Sequence, residues 1–117
     1  MAVLDAVVNN ADRKGGHLLP TTDRRVMGID HGVTFSVDDK LRTLLWQWAG
    51  EPLDDESVMA LNHLEAELTA GELGNELSDL LTRREIAVTI DRVRSMLRTG
   101  FHPEPPTDWP AIPWPPF

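Results

Sequence analysis

The stretch that decides the fold is NNADRKGGHLLPTTDRRVMGIDHG, residues 9–32. It contains a loop with two adjacent glycines, Gly15 and Gly16, where regular structure ends and the backbone can approach a ligand closely. Two short apolar runs follow, His17 to Leu19 and Val26 to Ile29, separated by polar residues. This pattern predicts a two-stranded hairpin that carries a loop at each end.

The hairpin predicts a common cleft for three polar side chains. Asp12 lies in the glycine-containing loop, His17 lies at the loop exit, and Asp30 directly follows the second strand. Because the hairpin can fold Asp30 back toward Asp12, two carboxylates and an imidazole can share one cleft. Phosphoryl transfer uses such a set, with one carboxylate to orient or deprotonate the acceptor and a second to hold a divalent metal. The pattern therefore predicts a site that handles a metal and phosphate groups.

These residues also carry a resemblance to a kinase family. The run DRKGGH, residues 12–17, matches the D-R-x-x-x-N catalytic loop of the phosphatidylinositol 3- and 4-kinases. The run GIDHG, residues 28–32, matches their metal-binding D-x-G motif, in the same order along the chain. Together with KLRTLLWQWAG, the chain resembles an actinobacterial family described as phosphatidylinositol 3-/4-kinase-like. The resemblance covers residues 2–50, and it implies the C-terminal catalytic lobe of a protein-kinase-like fold.

The resemblance implies a role for each polar residue. Asp12 and Lys14 would be catalytic, Asp12 by positioning the acceptor or accepting its proton and Lys14 by stabilising phosphate charge. Lys14, His17 and Asp30 would contact the cofactor, ATP with Mg²⁺ or Mn²⁺, and His17 and Asp30 would hold the metal. His17 stands where the family has asparagine, and an imidazole suits zinc or manganese better than magnesium. Arg13 would neutralise phosphate or pair with a neighbouring carboxylate to brace the loop.

One part of a kinase is not found ahead of these motifs. Kinases of this kind hold the nucleotide with a preceding lobe that supplies a phosphate-covering loop and a strand lysine. The eleven residues before Asp12 contain neither feature. We therefore expect this lobe to be inactive alone. A longer protein beginning upstream of Met1 or a separately encoded partner could supply the clamp, or the chain could be a remnant without activity. The expected partners are a nucleotide and a hydroxyl acceptor, together with the missing lobe or a second copy of the chain in a homo-oligomer.

Elsewhere the apolar periodicity predicts helices. The expected helices are Ala2 to Asn10, residues 38 or 39 to 48, Asp55 to Ala70, and Arg83 to Thr99. The first of these looks truncated at its N-terminal end. Thr82 begins a capping box at the head of the last one. The predicted fold class is mainly α (α+β): a short β-hairpin carrying the catalytic and metal loops, followed by about three helices.

The C-terminal segment differs from the rest of the chain. Seven of the nine prolines lie in residues 101–117, together with Trp109, Trp114 and Phe117. Such a segment is neither helix nor central strand. We expect residues 1–100 to form one kinase-like domain and residues 101–117 to be an extended tail packed on it. A polyproline-type ligand for a partner's groove is the alternative.

Composition and charge exclude several protein classes. The chain has 117 residues, which suits one domain, and no cysteine, which excludes disulfides and thiolate metal sites. Residues 1–42 hold six basic and six acidic side chains, whereas residues 43–117 hold five and thirteen, which produces the net charge of −8. This acidity argues against a nucleic-acid partner. The absence of cysteine fits a reducing, cytoplasmic setting, which we expect for this protein. No apolar stretch is long enough to span a membrane, so we expect no transmembrane segment.

Two other functions remain open from the sequence. One is a non-catalytic helical interaction domain that docks a partner through the first helix or the proline-rich tail. The other is a small metal-dependent hydrolase that uses Asp12, His17, Asp30 and His31.

Overall fold

The computed structural model describes all 117 residues and divides into two compact units. The first unit contains residues 1–47 and 105–117, and the second contains residues 48–104. Four α-helices and one two-stranded antiparallel sheet make up the regular structure, so the prediction of a mainly α chain with a little β structure is confirmed. None of the helices combines the length and the hydropathy that a membrane crossing requires.

The first unit contains a short helix followed by the predicted hairpin. Helix α1 spans Ala2–Val8 and ends at Asn9, whose φ of 55° is left-handed, a conformation that asparagine tolerates. Strands β1 (Leu18–Pro20) and β2 (Val26–Gly28) pair antiparallel, with Leu18 opposite Gly28 and Pro20 opposite Val26. A single 3₁₀ turn, Gly15–His17, leads directly into β1. The predicted hairpin is therefore confirmed, with strands at Leu18–Pro20 and Val26–Gly28 where the sequence predicts His17 to Leu19 and Val26 to Ile29.

The helix predicted for residues 38–48 is absent, and that prediction is wrong. The backbone there pairs with a distant part of the chain instead of with itself. The Arg42 amide donates to the carbonyl of Asn10 at 2.9 Å, and the Arg42 carbonyl accepts from the amide of Arg13 at 3.0 Å. The Leu44 amide then donates to the carbonyl of Arg13 at 3.2 Å. These long-range bonds occupy the groups that a helix would have used, so the apolar spacing there is not helical.

The second unit is built from three helices. Helix α2 spans Asp55–Ala70 and helix α4 spans Arg83–Thr99, the bounds that the sequence predicts. Helix α3, Glu72–Leu77, was not predicted, because six residues are too few for periodicity to show. Helix α2 packs against α3 and α4. The buried side chains of this unit are mainly apolar: Leu53, Leu61, Leu68, Thr89, Val93 and Met96.

Side chains and a glycine fix the ends of these helices. The Asp54 carboxylate accepts from the Ser57 amide at 2.7 Å at the start of α2. Hydrogen bonds from the Ser57 side chain and then its backbone hold the pKa of Asp54 below its ordinary value. At the start of α4, Thr82 and Glu85 form the predicted capping box with bonds of 3.1 and 2.8 Å. Gly100, with a φ of 76°, ends α4 in the left-handed conformation.

The proline-rich segment, residues 101–117, has no helix or strand. Residues 105–117 belong to the first unit, where the Ala111 carbonyl accepts from the Trp46 indole at 2.8 Å. Trp109 is half-buried, whereas Trp114 and Phe117 are 86% and 84% exposed. Trp109 is therefore in a different environment from Trp114 and Phe117.

Candidate functional site

The glycine-containing loop of the first unit is anchored by a buried ion pair. Arg13 donates from Nε to the two carboxylate oxygens of Asp5 at 3.1 and 3.0 Å, and from Nη2 to Oδ1 at 2.8 Å. Both side chains are 0% exposed. Asn10 and Thr43 add further donors to the same carboxylate, at 3.3 and 3.5 Å. Of the two roles considered for Arg13, bracing the loop against a carboxylate is the one observed.

Arg13 also connects the loop to the second strand. Its Nη1 donates to the carbonyl of Ile29 at 3.0 Å, which fixes the backbone immediately before Asp30. Its neighbours Asp12 and Lys14 are half-buried rather than buried. The inward side chain of Arg13 thus holds the segment in place while the residues on either side keep access to solvent.

The hairpin brings His17 and Asp30 together although twelve residues separate them. The Ile29 amide donates to the His17 carbonyl at 3.0 Å and so extends the strand pairing by one step. His17 Nε2 then lies 3.3 Å from Asp30 Oδ2, with side chains 15% and 62% exposed. Asp30 has a φ of 58°, a left-handed conformation that aspartate adopts more readily than most residues. Two of the predicted metal-site residues are therefore in contact.

The other ring nitrogen of His17 is also occupied. The Lys14 backbone amide donates to His17 Nδ1 at 3.2 Å, across the turn Gly15–His17. The imidazole is thus held at both nitrogens, by the loop on one side and by the end of the hairpin on the other. The ring orientation is set before any ligand binds.

Asp12 has a different partner, which the sequence did not reveal. Arg42 Nη2 lies 3.7 Å from Asp12 Oδ1, and Arg42 Nε donates to the carbonyl of Ala11 at 2.7 Å. The Arg42 guanidinium and the Lys40 ammonium lie 5.8 and 4.9 Å from the centre of the Trp109 ring. Cation–π attraction of this kind helps to fix the arginine beside the carboxylate.

The two adjacent glycines contact the C-terminal segment. The Gly15 amide donates to the carbonyl of Pro116 at 2.8 Å, and a Cβ built on Gly16 would be 3.8 Å from Phe117. Close backbone approach at this position is therefore used for contact within the chain. The Gly15 amide is not available to bind a phosphate in this arrangement.

The four predicted site residues all lie in the first unit, but not in one cluster. His17 contacts Asp30, Asp12 contacts Arg42, and the Lys14 ammonium forms no ion pair. No group of three or more histidine, aspartate or glutamate side chains in the chain is placed to hold a metal ion. The set Asp12, His17, Asp30 and His31 is thus not assembled as one metal-binding group.

Sequence reasoning missed Asp5 and Arg42. Asp5 carries a local signal, because it is the one charged residue in an otherwise apolar helix and has no charged neighbour on that helix. Such a residue at a buried position requires a partner of opposite charge. Arg42 carries no comparable signal, because its contacts with Ala11 and Asp12 span about thirty residues.

The turn of the hairpin carries a separate charge pair. The Arg25 guanidinium lies 2.7 Å from the Asp23 carboxylate on the surface, and the Thr21 hydroxyl also donates to that carboxylate. Hydrogen bonds from Thr21 and then Arg25 lower the pKa of Asp23. These contacts organise the turn at the end of the hairpin opposite to His17 and Asp30.

The chain is similar over its whole length to a mycobacterial protein. Protein Rv2133c of Mycobacterium tuberculosis (strain ATCC 25618 / H37Rv) is 44% identical to this chain over 117 residues, which is 100% of this chain and 41% of that protein. The chain therefore spans about two-fifths of the length of this relative. No family model matches the chain, and no solved structure is significantly similar to it.

Proposed function

We propose that the first unit is the metal- and acceptor-binding part of a kinase-like phosphotransferase, resembling the C-terminal lobe of the phosphatidylinositol 3- and 4-kinases. In this proposal Asp30 would hold a divalent cation, which would supply positive charge beside the ATP phosphates. Lys14 would neutralise phosphate charge, and Asp12 would align an acceptor hydroxyl. The full activity needs a nucleotide clamp that these 117 residues do not contain. A cytoplasmic location is part of the same proposal.

The contact between His17 and Asp30 is the observation that supports the proposal most. The sequence resemblance assigns the cation to His17, at the end of the catalytic loop, and to Asp30, which follows a strand. A complete hairpin separates these two residues along the chain. Their side chains lie 3.3 Å apart at the solvent-facing end of that hairpin. These are the two residues to which the sequence resemblance assigns the cation.

The site fits a magnesium-type cation held by few protein ligands. Magnesium in phosphoryl-transfer sites keeps several waters and uses one or two carboxylates together with substrate phosphates, so it needs no complete cage of side chains. Asp30 is 62% exposed and can offer such a carboxylate. When bound, the cation would neutralise charge on the phosphate groups. His17 would lie beside this cation through its contact with Asp30.

The remaining residues supply positioning and electrostatics. Asp12 accepts the proton of the acceptor hydroxyl as the oxygen forms a bond to the γ-phosphorus of ATP. The bond from that phosphorus to the β-phosphate oxygen breaks, and ADP leaves. Lys14 stabilises the charge on the transferred group, and Arg42 holds Asp12 from the side. Positioning and fixed charges provide most of the rate enhancement in this chemistry.

The first experiment tests the cation site on the chain itself. Mn²⁺ is added to ¹⁵N-labelled protein, and the broadening of backbone signals reports which residues lie near the ion. We expect the signals of residues 14–17 and 29–32 to broaden first. Asp30→Asn should remove this effect, and Asp39→Asn, which removes an exposed carboxylate of the same unit, should leave it unchanged. Broadening that is unaffected by Asp30→Asn would contradict the proposal.

A second experiment tests the transfer reaction in a longer protein. Protein Rv2133c contains sequence beyond the region that matches this chain. We expect it to move labelled γ-phosphate from ATP to a hydroxyl acceptor in the presence of Mg²⁺ or Mn²⁺, with inositol lipid, protein and small-alcohol acceptors assayed side by side. We expect this chain alone to bind the cation without transferring phosphate. A failure of the relative to bind ATP in calorimetry would contradict the nucleotide part of the proposal.

A docking role for the C-terminal segment is the second candidate function. Trp114 and Phe117 are almost fully exposed and Ile112 is 54% exposed, which is a large apolar surface for thirteen residues. Light scattering across a range of concentrations tests one form of this idea. Self-association that is lost in Trp114→Ser would support it, and a monomer at every concentration would count against docking between copies.

A further inference from the structure

Both nitrogens of the His17 ring are engaged, and the two partners differ in chemistry. Nδ1 lies 3.2 Å from the backbone nitrogen of Lys14, which is a donor. Nε2 lies 3.3 Å from Oδ2 of Asp30, which is an acceptor when the carboxylate is ionised. These two contacts therefore determine which of the two ring nitrogens carries the proton when the imidazole is neutral.

The Lys14 contact decides the tautomer. A backbone N–H can only donate, so Nδ1 must present a lone pair to it. In a neutral ring the proton then resides on Nε2, and the Nε2–H faces the Asp30 carboxylate. A nitrogen that carries a proton has no lone pair for a metal ion. Binding a cation through Nε2 would require a proton on Nδ1, and that proton would point at the Lys14 N–H.

We propose that His17 is a positioning residue for Asp30 and not a metal ligand. Its Nε2–H holds Oδ2, which leaves Oδ1 of Asp30 to face the cation. The protein contribution to the cation site is then oxygen alone, completed by phosphate oxygens and water. Such a set selects a hard cation of the magnesium class over zinc, which favours imidazole ligands. The role of His17 at a cation site rests on the proposed function. The tautomer of His17 does not rest on it, because it follows from the contacts of the ring alone.

The position of the ring in the fold favours a holding role. The His17 side chain is only 15% exposed, and the turn Gly15–His17 fixes it through the Lys14 amide. The Asp30 side chain is 62% exposed and has no other ion-pair partner. An exposed carboxylate without a fixed neighbour would sample several rotamers. A rigid donor beside it restricts that freedom, as outer-shell partners do for metal-binding carboxylates.

The test begins with the tautomer in the metal-free protein. Long-range ¹H–¹⁵N correlation spectra distinguish the two nitrogens of each of the four histidines, recorded where the ring signals no longer change with pH. His17→Gln assigns the signals, and His63→Gln, at an exposed position on α2, is the matched control. We expect the proton on Nε2 of His17. A proton on Nδ1 would overturn the inference.

Variants then test the positioning role against a ligand role. His17→Leu removes the donor, and we expect the Kd for Mn²⁺ to rise about 10- to 100-fold, the range found for outer-shell partners. His17→Gln keeps an N–H donor near the place of Nε2, so its Kd should stay within about threefold of the original protein. Equal losses in both variants, or a switch of the proton to Nδ1 when Mg²⁺ binds, would overturn the inference. The backbone spectra of both variants confirm that they are folded.

The two proposals can fail separately. A proton on Nε2 without any cation binding at Asp30 would refute the phosphotransferase proposal and keep the His17 contact as a structural one. A cation bound at Asp30 with the proton on Nδ1 would keep the proposed function and refute the positioning role. A cation bound at Asp30 with the proton still on Nε2 supports both.

Discussion

Removing Arg13 tests the buried ion pair that anchors the candidate loop. Arg13→Met takes away three bonds to Asp5 and one to the Ile29 carbonyl, all between 2.8 and 3.1 Å. The Asp5 carboxylate then stays buried with only the longer contacts from Asn10 and Thr43. Breaking a fully buried pair by removing one partner costs about 3–5 kcal/mol, because an unpaired charge remains in a poorly solvated place.

This cost is large compared with the stability of an ordinary domain, about 5–15 kcal/mol. Urea unfolding followed by tryptophan fluorescence measures it. With a urea dependence of about 2 kcal/mol per molar, the midpoint should fall by about 2 M. Amide exchange at Asn10 and Arg13 backbone positions reports on the first unit separately. The urea midpoint of Arg13→Lys should lie between those of the original protein and Arg13→Met, because an ammonium restores the charge but not the forked geometry.

Two matched variants make the reasoning refutable. Asp5→Leu combined with Arg13→Met replaces the pair by apolar side chains, and we expect it to recover most of the lost stability. Arg25→Met removes a partner from the exposed pair with Asp23 and should give no measurable change in midpoint. A loss below about 1 kcal/mol in Arg13→Met, or a double variant no more stable than the single one, would show that burial of charge is not what governs this site.

Three further outcomes are expected in the second unit and the loop. Thr82→Ala removes the capping hydroxyl of α4 and should cost about 1 kcal/mol in urea unfolding, and an unchanged midpoint would contradict the capping role. Asp54 has a lowered pKa in the folded chain, so its stabilising contribution is present above its ordinary value of 3.8 and is lost as pH falls through the lowered value. Asp54→Asn should therefore lose less stability than the original protein as the pH falls below 3.8, and identical acid profiles would refute this. Gly100→Ala has open space around the added Cβ but a φ of 76°, so backbone strain alone should lower the free energy of unfolding by about 1–2 kcal/mol. Gly16→Ala should lower it by less, and equal losses in the two variants would be inconsistent with the left-handed cap.

The parts of the fold that depend on local signals could be predicted from the sequence. Helices α2 and α4 have regular apolar rows, and α4 also has a capping box beginning at Thr82, so both were predicted with their observed bounds. Residues 38–48 have helical spacing as well, but their amides bond to residues far away along the chain. Spacing within a segment contains no information about such partners.

The candidate site shows the same division. The contact of His17 with Asp30 follows from a hairpin, which has a local signature, and the sequence placed both residues at one site. The contact of Asp12 with Arg42 depends on the path of residues 36–44, which nothing local indicates. Which nitrogen of His17 carries the proton depends on a contact with the backbone amide of Lys14. A backbone amide leaves no signal in the sequence, because nearly every residue has one. Only coordinates reveal such a partner.

The bond from the Gly15 amide to the Pro116 carbonyl joins the two ends of a discontinuous unit. During synthesis on the ribosome, residues 48–104 emerge as one continuous segment and can complete their own packing. The candidate loop cannot form all of its backbone hydrogen bonds at that stage, because its last partner is translated about a hundred residues after it. Assembly of this loop is thus a late event in the biogenesis of the chain, and a nascent polypeptide stalled before residue 116 would present it without that partner.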